Sequence, residues 1–150
     1  MPFIQNIAAM DVPERFHKNP GDKCILIQIM DTGTKQWPIP KHKFKQIYRF
    51  EFLDVEEDTV YLHTPDKYKI SDKQAADLVE ILTNALRTNT NIIVHCHAGV
   101  CRSGAVTEVG VMMGFEDTGK YRNPNLLVKK KMMKVLGLTY EDDVPEGSLI

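Results

Sequence analysis

Apolar positions fall along this chain in two different periods. Residues 24–30 (Cys-Ile-Leu-Ile-Gln-Ile-Met) are β-branched and nearly continuous in apolar character, the pattern of a strand covered on both faces, and Asp31-Thr32-Gly33-Thr34 closes it as a turn. Residues 47–53 alternate with period two and predict a second strand ending at Asp54. Between the two, residues 35–45 hold Trp37, Pro38 and Pro40 and read as an irregular excursion. From 55 to 70 no period holds, and Pro65 with the acidic residues Glu56, Glu57, Asp58 and Asp66 predicts a long surface loop. Loops of that length within a domain often carry function.

Ser71-Asp72-Lys73-Gln74 has the form of a capping box, and Ala75, Leu78, Val79, Leu82, Ala85 and Leu86 follow it at helical spacing. After the polar residues 88–91 comes a short apolar strand over 92–95, then a tight loop, then a second helical pattern from Arg102 to Met113. Asn123-Pro124 reads as an N-cap followed by proline at the first helical position, opening a helix over 125–136 that Gly137 is placed to stop. Strands alternating with helices define an α/β fold, a central and mostly parallel sheet flanked by helices.

Composition adds limits rather than detail. With 150 residues, 43% of them hydrophobic and 26% charged, the chain suits one globular domain over 1–150, with residues 138–150 expected to form a mobile tail. Nineteen Lys and Arg against twenty Asp and Glu leave a formal charge of -1, so the strongly basic balance of a nucleic-acid coat is absent and nucleic acid is not an expected partner. No apolar run approaches the roughly 18 to 20 residues of a membrane helix, so no membrane partner is expected either. The residues Met1-Pro2-Phe3-Ile4-Gln5 lack a secretory signal, and the three cysteines suit a reducing cytoplasm. A monomer is the favoured state.

The candidate chemistry lies in the loop that follows the strand over 92–95. His95-Cys96-His97-Ala98-Gly99-Val100-Cys101-Arg102-Ser103-Gly104 sets a cysteine at a strand end, an arginine six positions on, and a helix opening at that arginine. Successive backbone N–H groups from His97 to Arg102, including those of Ala98, Gly99, Val100 and Cys101, can curl around a tetrahedral oxyanion while the helix N-terminus adds its partial positive charge. Gly99 permits the turn, and the planar fork of Arg102 can hold two oxygens of the same anion. Donors of this kind favour the thiolate form of a cysteine held among them. Cys96 is then a nucleophile aimed at phosphorus, with the cradle stabilising the three equatorial oxygens and no metal or cofactor required.

Residues 95–103 resemble the H-C-x5-R-S signature of the cysteine-dependent protein tyrosine and dual-specificity phosphatases. The wider order of elements is similar to that of the family's small microbial members. The resemblance implies a compact α/β fold of the dual-specificity type and a phosphate monoesterase acting on phosphorylated protein, foremost phosphotyrosine, with phosphoserine and phosphothreonine beside it. It also implies a general acid on a mobile loop upstream of the signature. Asp54, at the strand end, holds the matching place, and Asp58 and Asp66 share its loop. Ser103 would stabilise the departing thiolate, and His95 would orient the loop by hydrogen bonding.

Other readings stand beside these. His95, Cys96, His97 and Cys101 would have to converge from one tight loop to hold zinc, which such loops rarely achieve. Cys101 is a small core thiol or, at five residues from Cys96, a partner for a reversible disulfide of the sort known in low-molecular-weight tyrosine phosphatases. Rival functions are a thiol-redox oxyanion enzyme such as an arsenate reductase, an RNA 5′-phosphatase or phosphoinositide phosphatase of the same family, and a catalytically silent phosphate-binding module.

Overall fold

The computed structural model describes residues 1–13, 21–56 and 65–139. Five strands, β1 (Phe3–Ala8), β2 (Gly21–Met30), β3 (Phe44–Glu51), β4 (Asn91–Cys96) and β5 (Glu116–Asp117), form one sheet in the order β3-β2-β4-β1-β5, and all four pairings are parallel. Among the described residues three α-helices alternate with the later strands: α1 (Asp72–Arg87) before β4, α2 (Arg102–Met113) before β5 and α3 (Leu126–Val135) after it. The expected α/β architecture with its parallel central sheet is the one observed.

The near-continuous apolar character of β2 follows from its central place. Ile25, Ile27 and Ile29 turn to one face and join Ile4, Ile92, Val94 and the buried residues of all three helices. Cys24 and Leu26 turn to the other face and join Ile7, Val12, Phe44 and Ile93 in a smaller cluster. A strand buried on both faces loses its period-two signal. β3 is an edge strand, and its ladder ends at Glu51, so the strand expected to run to Asp54 stops three residues earlier. Phe52 is still fully buried and its N–H donates to the Met30 carbonyl, whereas Leu53 N–H turns away to the carbonyl of Tyr68 at 2.7 Å. That bond pins the far end of the acidic loop beside the strand exit.

The helix signals hold with one shift. Ser71 and Gln74 make the reciprocal capping box, Gln74 N–H to Ser71 Oγ at 3.0 Å and Ser71 N–H to Gln74 Oε1 at 2.9 Å, and the buried stripe is the one read from the spacing with Ile81 added and Leu86 only half-buried at its end. α3 begins later than expected: Asn125, not Asn123, is the N-cap, because its Oδ1 is the acceptor that reaches Val128 N–H at 3.0 Å. Asn123 instead spends its backbone N–H on the carbonyl of Val100. At the other end Gly137 takes φ +76°, and the Leu138 N–H returns to Met133 O at 2.9 Å, a Schellman stop. Among the described residues no helix is long and apolar enough to cross a membrane.

Candidate active site

β4 delivers Cys96 to the carboxyl edge of the sheet, and α2 starts at Arg102, so residues 97–101 span from strand to helix at the edge where parallel α/β sheets place their sites. Cys96 is nearly fully buried. Its Sγ lies 3.1 Å from the Oγ of Ser103, itself buried, and accepts the Gly99 N–H at 3.3 Å. The sulfur accepts one bond and either donates or accepts the other, so Cys96 is tied both to the loop and to the first turn of α2.

The orientation of the loop peptides follows from their carbonyls. The His97 carbonyl accepts Ala9 N–H at 3.2 Å, and the Gly99 carbonyl accepts Asn6 Nδ2 at 2.7 Å. The Val100 carbonyl accepts Asn123 N–H at 3.1 Å, and the Cys101 carbonyl accepts both Ala105 N–H and Asn125 N–H at 2.9 Å. In a planar trans peptide the N–H of the next residue points opposite to the carbonyl. With four carbonyls tethered to outside donors, the N–H groups of Ala98, Val100, Cys101 and Arg102 are directed away from those tethers. None of them has a protein acceptor among the described residues. Four tethered peptides with free N–H groups can serve as an anion cradle.

Gly99 is required for this arrangement. Its φ is +75°, and a Cβ there would lie 2.3 Å from Ala8 N and from Ile7 C, inside the backbone of β1. The loop crosses β1 at a distance that admits no side chain. Asn6, on that strand, uses its second Nδ2 hydrogen on the Tyr121 carbonyl at 2.9 Å, tying residues 117–125 to the same assembly. Arg122 fastens that segment further by bridging Glu108 of α2 and Asp117 of β5 at 3.0–3.1 Å.

Arg102 is buried, with 5% of its side chain exposed, and one nitrogen carries its fixed contacts. Nη1 donates to Asp31 Oδ1 and to the Phe52 carbonyl, both at 2.8 Å, while Nε is buried with no partner. The guanidinium is therefore held by its outer corner, leaving an unspent N–H on the side of its stem. Asp31, read from sequence only as a turn residue, supplies this anchor from the end of β2.

His95 lies on the opposite sheet face from Cys96, as strand alternation requires, in register with Ile7 and Gln28. Burial lowers its pKa from 6.5 to about 4, the Arg102 charge adds to this, and the contact with the Cys96 carbonyl opposes it. The ring is neutral at pH 7. Its Nδ1 stands 3.4 Å from that carbonyl, so Nδ1 carries the hydrogen and Nε2 is a buried acceptor without a donor. His97 and Ala98 are exposed on the rim of the loop. Cys101 is half-buried, its thiol pushed up by burial and then by Asp54, Cys96 and Glu56, and it makes no disulfide.

The acid candidates divide. Asp54 is exposed beside the loop and accepts Asn125 Nδ2 at 2.6 Å. Asp58 lies outside the described residues; Asp66 opens a short 3-10 turn over Asp66–Tyr68, with its side chain outside the description. Asn6, Asp31 and Asn125 were not among the sequence candidates. A polar residue in an apolar strand, an Asp closing a buried strand and an Asn after a proline were the available signals. Among the described residues no three His, Cys, Asp or Glu side chains converge as a metal site would need.

Neither a protein-family model nor a curated protein matches the chain. Solved structures do. A crystal structure of human DUSP28 aligns at 13% identity over 90% of this chain and 92% of that one, with a TM-score of 0.51. A substituted form of the same human protein gives 13% identity, 95% and 83% coverage, and a TM-score of 0.51. A mouse protein provisionally assigned as a dual specificity phosphatase, solved with zinc tungstate, aligns at 18% identity over 88% of this chain and 79% of that one, with a TM-score of 0.48. The class that the sheet order and its flanking helices define is the α/β fold with a parallel central sheet. Within it, this chain has the dual-specificity phosphatase fold.

Proposed function

We propose that this chain is a phosphate monoester hydrolase that works through a cysteinyl-phosphate on Cys96. The observation that carries the reading is the set of four tethered carbonyls around a buried cysteine, with the Arg102 Nε left unpaired beside them. Oxygens of a phosphate monoester would take the N–H groups of Ala98, Val100, Cys101 and Arg102 and the free edge of the guanidinium. The Cys96 sulfur attacks phosphorus in line and the P–O bond to the leaving group breaks. Asp54 delivers a proton to the departing oxygen. In the second step Asp54 takes a proton from water, whose oxygen displaces the sulfur, and Ser103 Oγ donates to the released thiolate.

Phosphorylated protein is the substrate in this reading, phosphotyrosine first and phosphoserine or phosphothreonine with it, in the cytoplasm. The arsenate-reductase alternative needs a relay of accessible thiols. Cys24 does not suit one, being buried on β2, on the sheet face away from Cys96, with its thiol pushed up to about 12 by burial. The test is hydrolysis of p-nitrophenyl phosphate and of phosphotyrosine, phosphoserine and phosphoinositide substrates in the presence of EDTA. Cys96→Ser should abolish turnover and retain vanadate binding. Substantial activity in Cys96→Ser would refute the covalent route.

A further inference from the structure

Asn125 is fully buried, and every polar group it has is engaged. Its backbone N–H donates to Cys101 O at 2.9 Å, in the candidate phosphate loop, and its carbonyl accepts Lys129 N–H. Its Oδ1 accepts Val128 N–H at 3.0 Å as the cap of α3. That cap settles which end of the amide is which, because only the oxygen can accept a backbone N–H. Nδ2 is therefore turned outward, where its two hydrogens meet Asp54 Oδ1 at 2.6 Å and the Val55 carbonyl at 3.3 Å. Asp54 is itself exposed, three residues beyond the last rung of β3. Among the described residues Asn125 is the group that fixes its side chain.

We propose that Asn125 is a positioning residue for Asp54: one buried amide, clamped by the N-terminus of α3, sets the candidate acid at a fixed distance from the phosphate loop that the same residue's backbone holds. The inference rests on the reading of Asp54 as general acid. A bare aspartate on a strand exit samples several rotamers, and each residue ordered in advance removes that cost from the proton transfer. The same clamp holds residues 54–55 and the cradle on one support, so the acid and the nucleophile share a frame although 42 positions separate Asp54 from Cys96.

Two substitutions separate positioning from folding. Asn125→Ser keeps a cap oxygen for α3 and loses Nδ2; Asn125→Asp also keeps the cap but sets a second carboxylate against Asp54. Both retain the backbone N–H to Cys101, so vanadate affinity should stay at the wild-type level. The expected result is a fall in kcat of about 10-fold or more on phenyl phosphate, whose leaving oxygen needs a proton, and a much smaller one on p-nitrophenyl phosphate. Asn125→Asp should be the more impaired. In an Asp54→Asn background, Asn125→Ser should cost nothing further. If Asp54→Asn shows the leaving-group dependence and Asn125→Ser does not, the positioning inference is wrong and the acid assignment stands. If Asp54→Asn shows none, the assignment itself has failed and the inference falls with it.

Discussion

Acidification from pH 7 to pH 5 should destabilise this protein through one side chain, His95. The folded ring, wholly buried, has a pKa of about 4 against an ordinary 6.5, chiefly because burial penalises its charged form. In the unfolded chain the ring is solvated and takes its proton near the ordinary value. Between those two values the unfolded state binds a proton that the folded state refuses, so stability rises with pH across the window and is lost as pH falls through it. A gap from 6.5 to 4 at about 1.36 kcal/mol per unit caps the loss at about 3 kcal/mol, and a single titrating site reaches about 2 kcal/mol by pH 5. For a chain of this length that is a fall in Tm of about 4–8 °C. Asp117, held low by hydrogen bonds from Arg122 and Gly119, lies below this range. Urea denaturation at pH steps from 7 to 5 measures the slope, and His95→Gln, which cannot titrate, should flatten it. A ring proton signal in the folded protein that titrates near 6.5, or an unchanged slope in His95→Gln, would refute the reasoning.

Two further substitutions probe the cradle. Gly99→Ala should cost at least about 1–2 kcal/mol from the left-handed backbone alone, with more from the overlap with β1, and should abolish vanadate binding; denaturation and a binding titration check both, and wild-type values would contradict the crossing geometry. Arg102→Lys cannot hold Asp31, the Phe52 carbonyl and an anion together. Each charge-assisted hydrogen bond lost is worth about 1.5–3 kcal/mol, so vanadate affinity should fall by about 10- to 100-fold, and a smaller change would mean that the guanidinium edge does not bind the anion.

The parts of this structure that were legible in the sequence are those whose cause is local. A capping box needs four consecutive residues, and Ser71 to Gln74 supply them; the stripe of α1 needs only its own spacing. The candidate nucleophile and arginine were legible because a strand end, a glycine and a helix start lie within ten positions. β1 passed unread because its apolar residues are broken by Gln5 and Asn6, and Asn6 is there for the Gly99 carbonyl 93 positions away. Asp31 meets Arg102 across 71 positions, and Asn125 meets Asp54 across 71. In both cases a residue suited to a turn or a cap also serves a distant partner, and the local role masked the distant one. The extent of β3 was misjudged for a related reason: Phe52 continues the alternation and is buried, but the backbone at Leu53 has already left the sheet for Tyr68.

The buried atoms left without partners show how the cradle is held open. Among the described residues these are Asn6 Oδ1, His95 Nε2, Arg102 Nε and Thr107 Oγ1, and the first three belong to residues that form or tether the loop. Each such atom costs about 1–3 kcal/mol, so their gathering in one place needs a cause. Asn6 spends both amide hydrogens on carbonyls, of Gly99 and Tyr121, and its oxygen is left over as the consequence. His95 gives its hydrogen toward the Cys96 carbonyl and keeps a bare acceptor for the same reason. Both orphans are acceptors, left by side chains whose donors are committed to backbone carbonyls in or beside the loop. Arg102 Nε is of the other sign, a charged donor, and it stands beside four backbone N–H groups that also lack acceptors. An arriving oxyanion can satisfy every one of those donors and neither of the acceptors. The cost of the acceptors is thus permanent and belongs to the scaffold, while the cost of the buried Arg102 Nε would be removed by the oxyanion that the proposed function calls for.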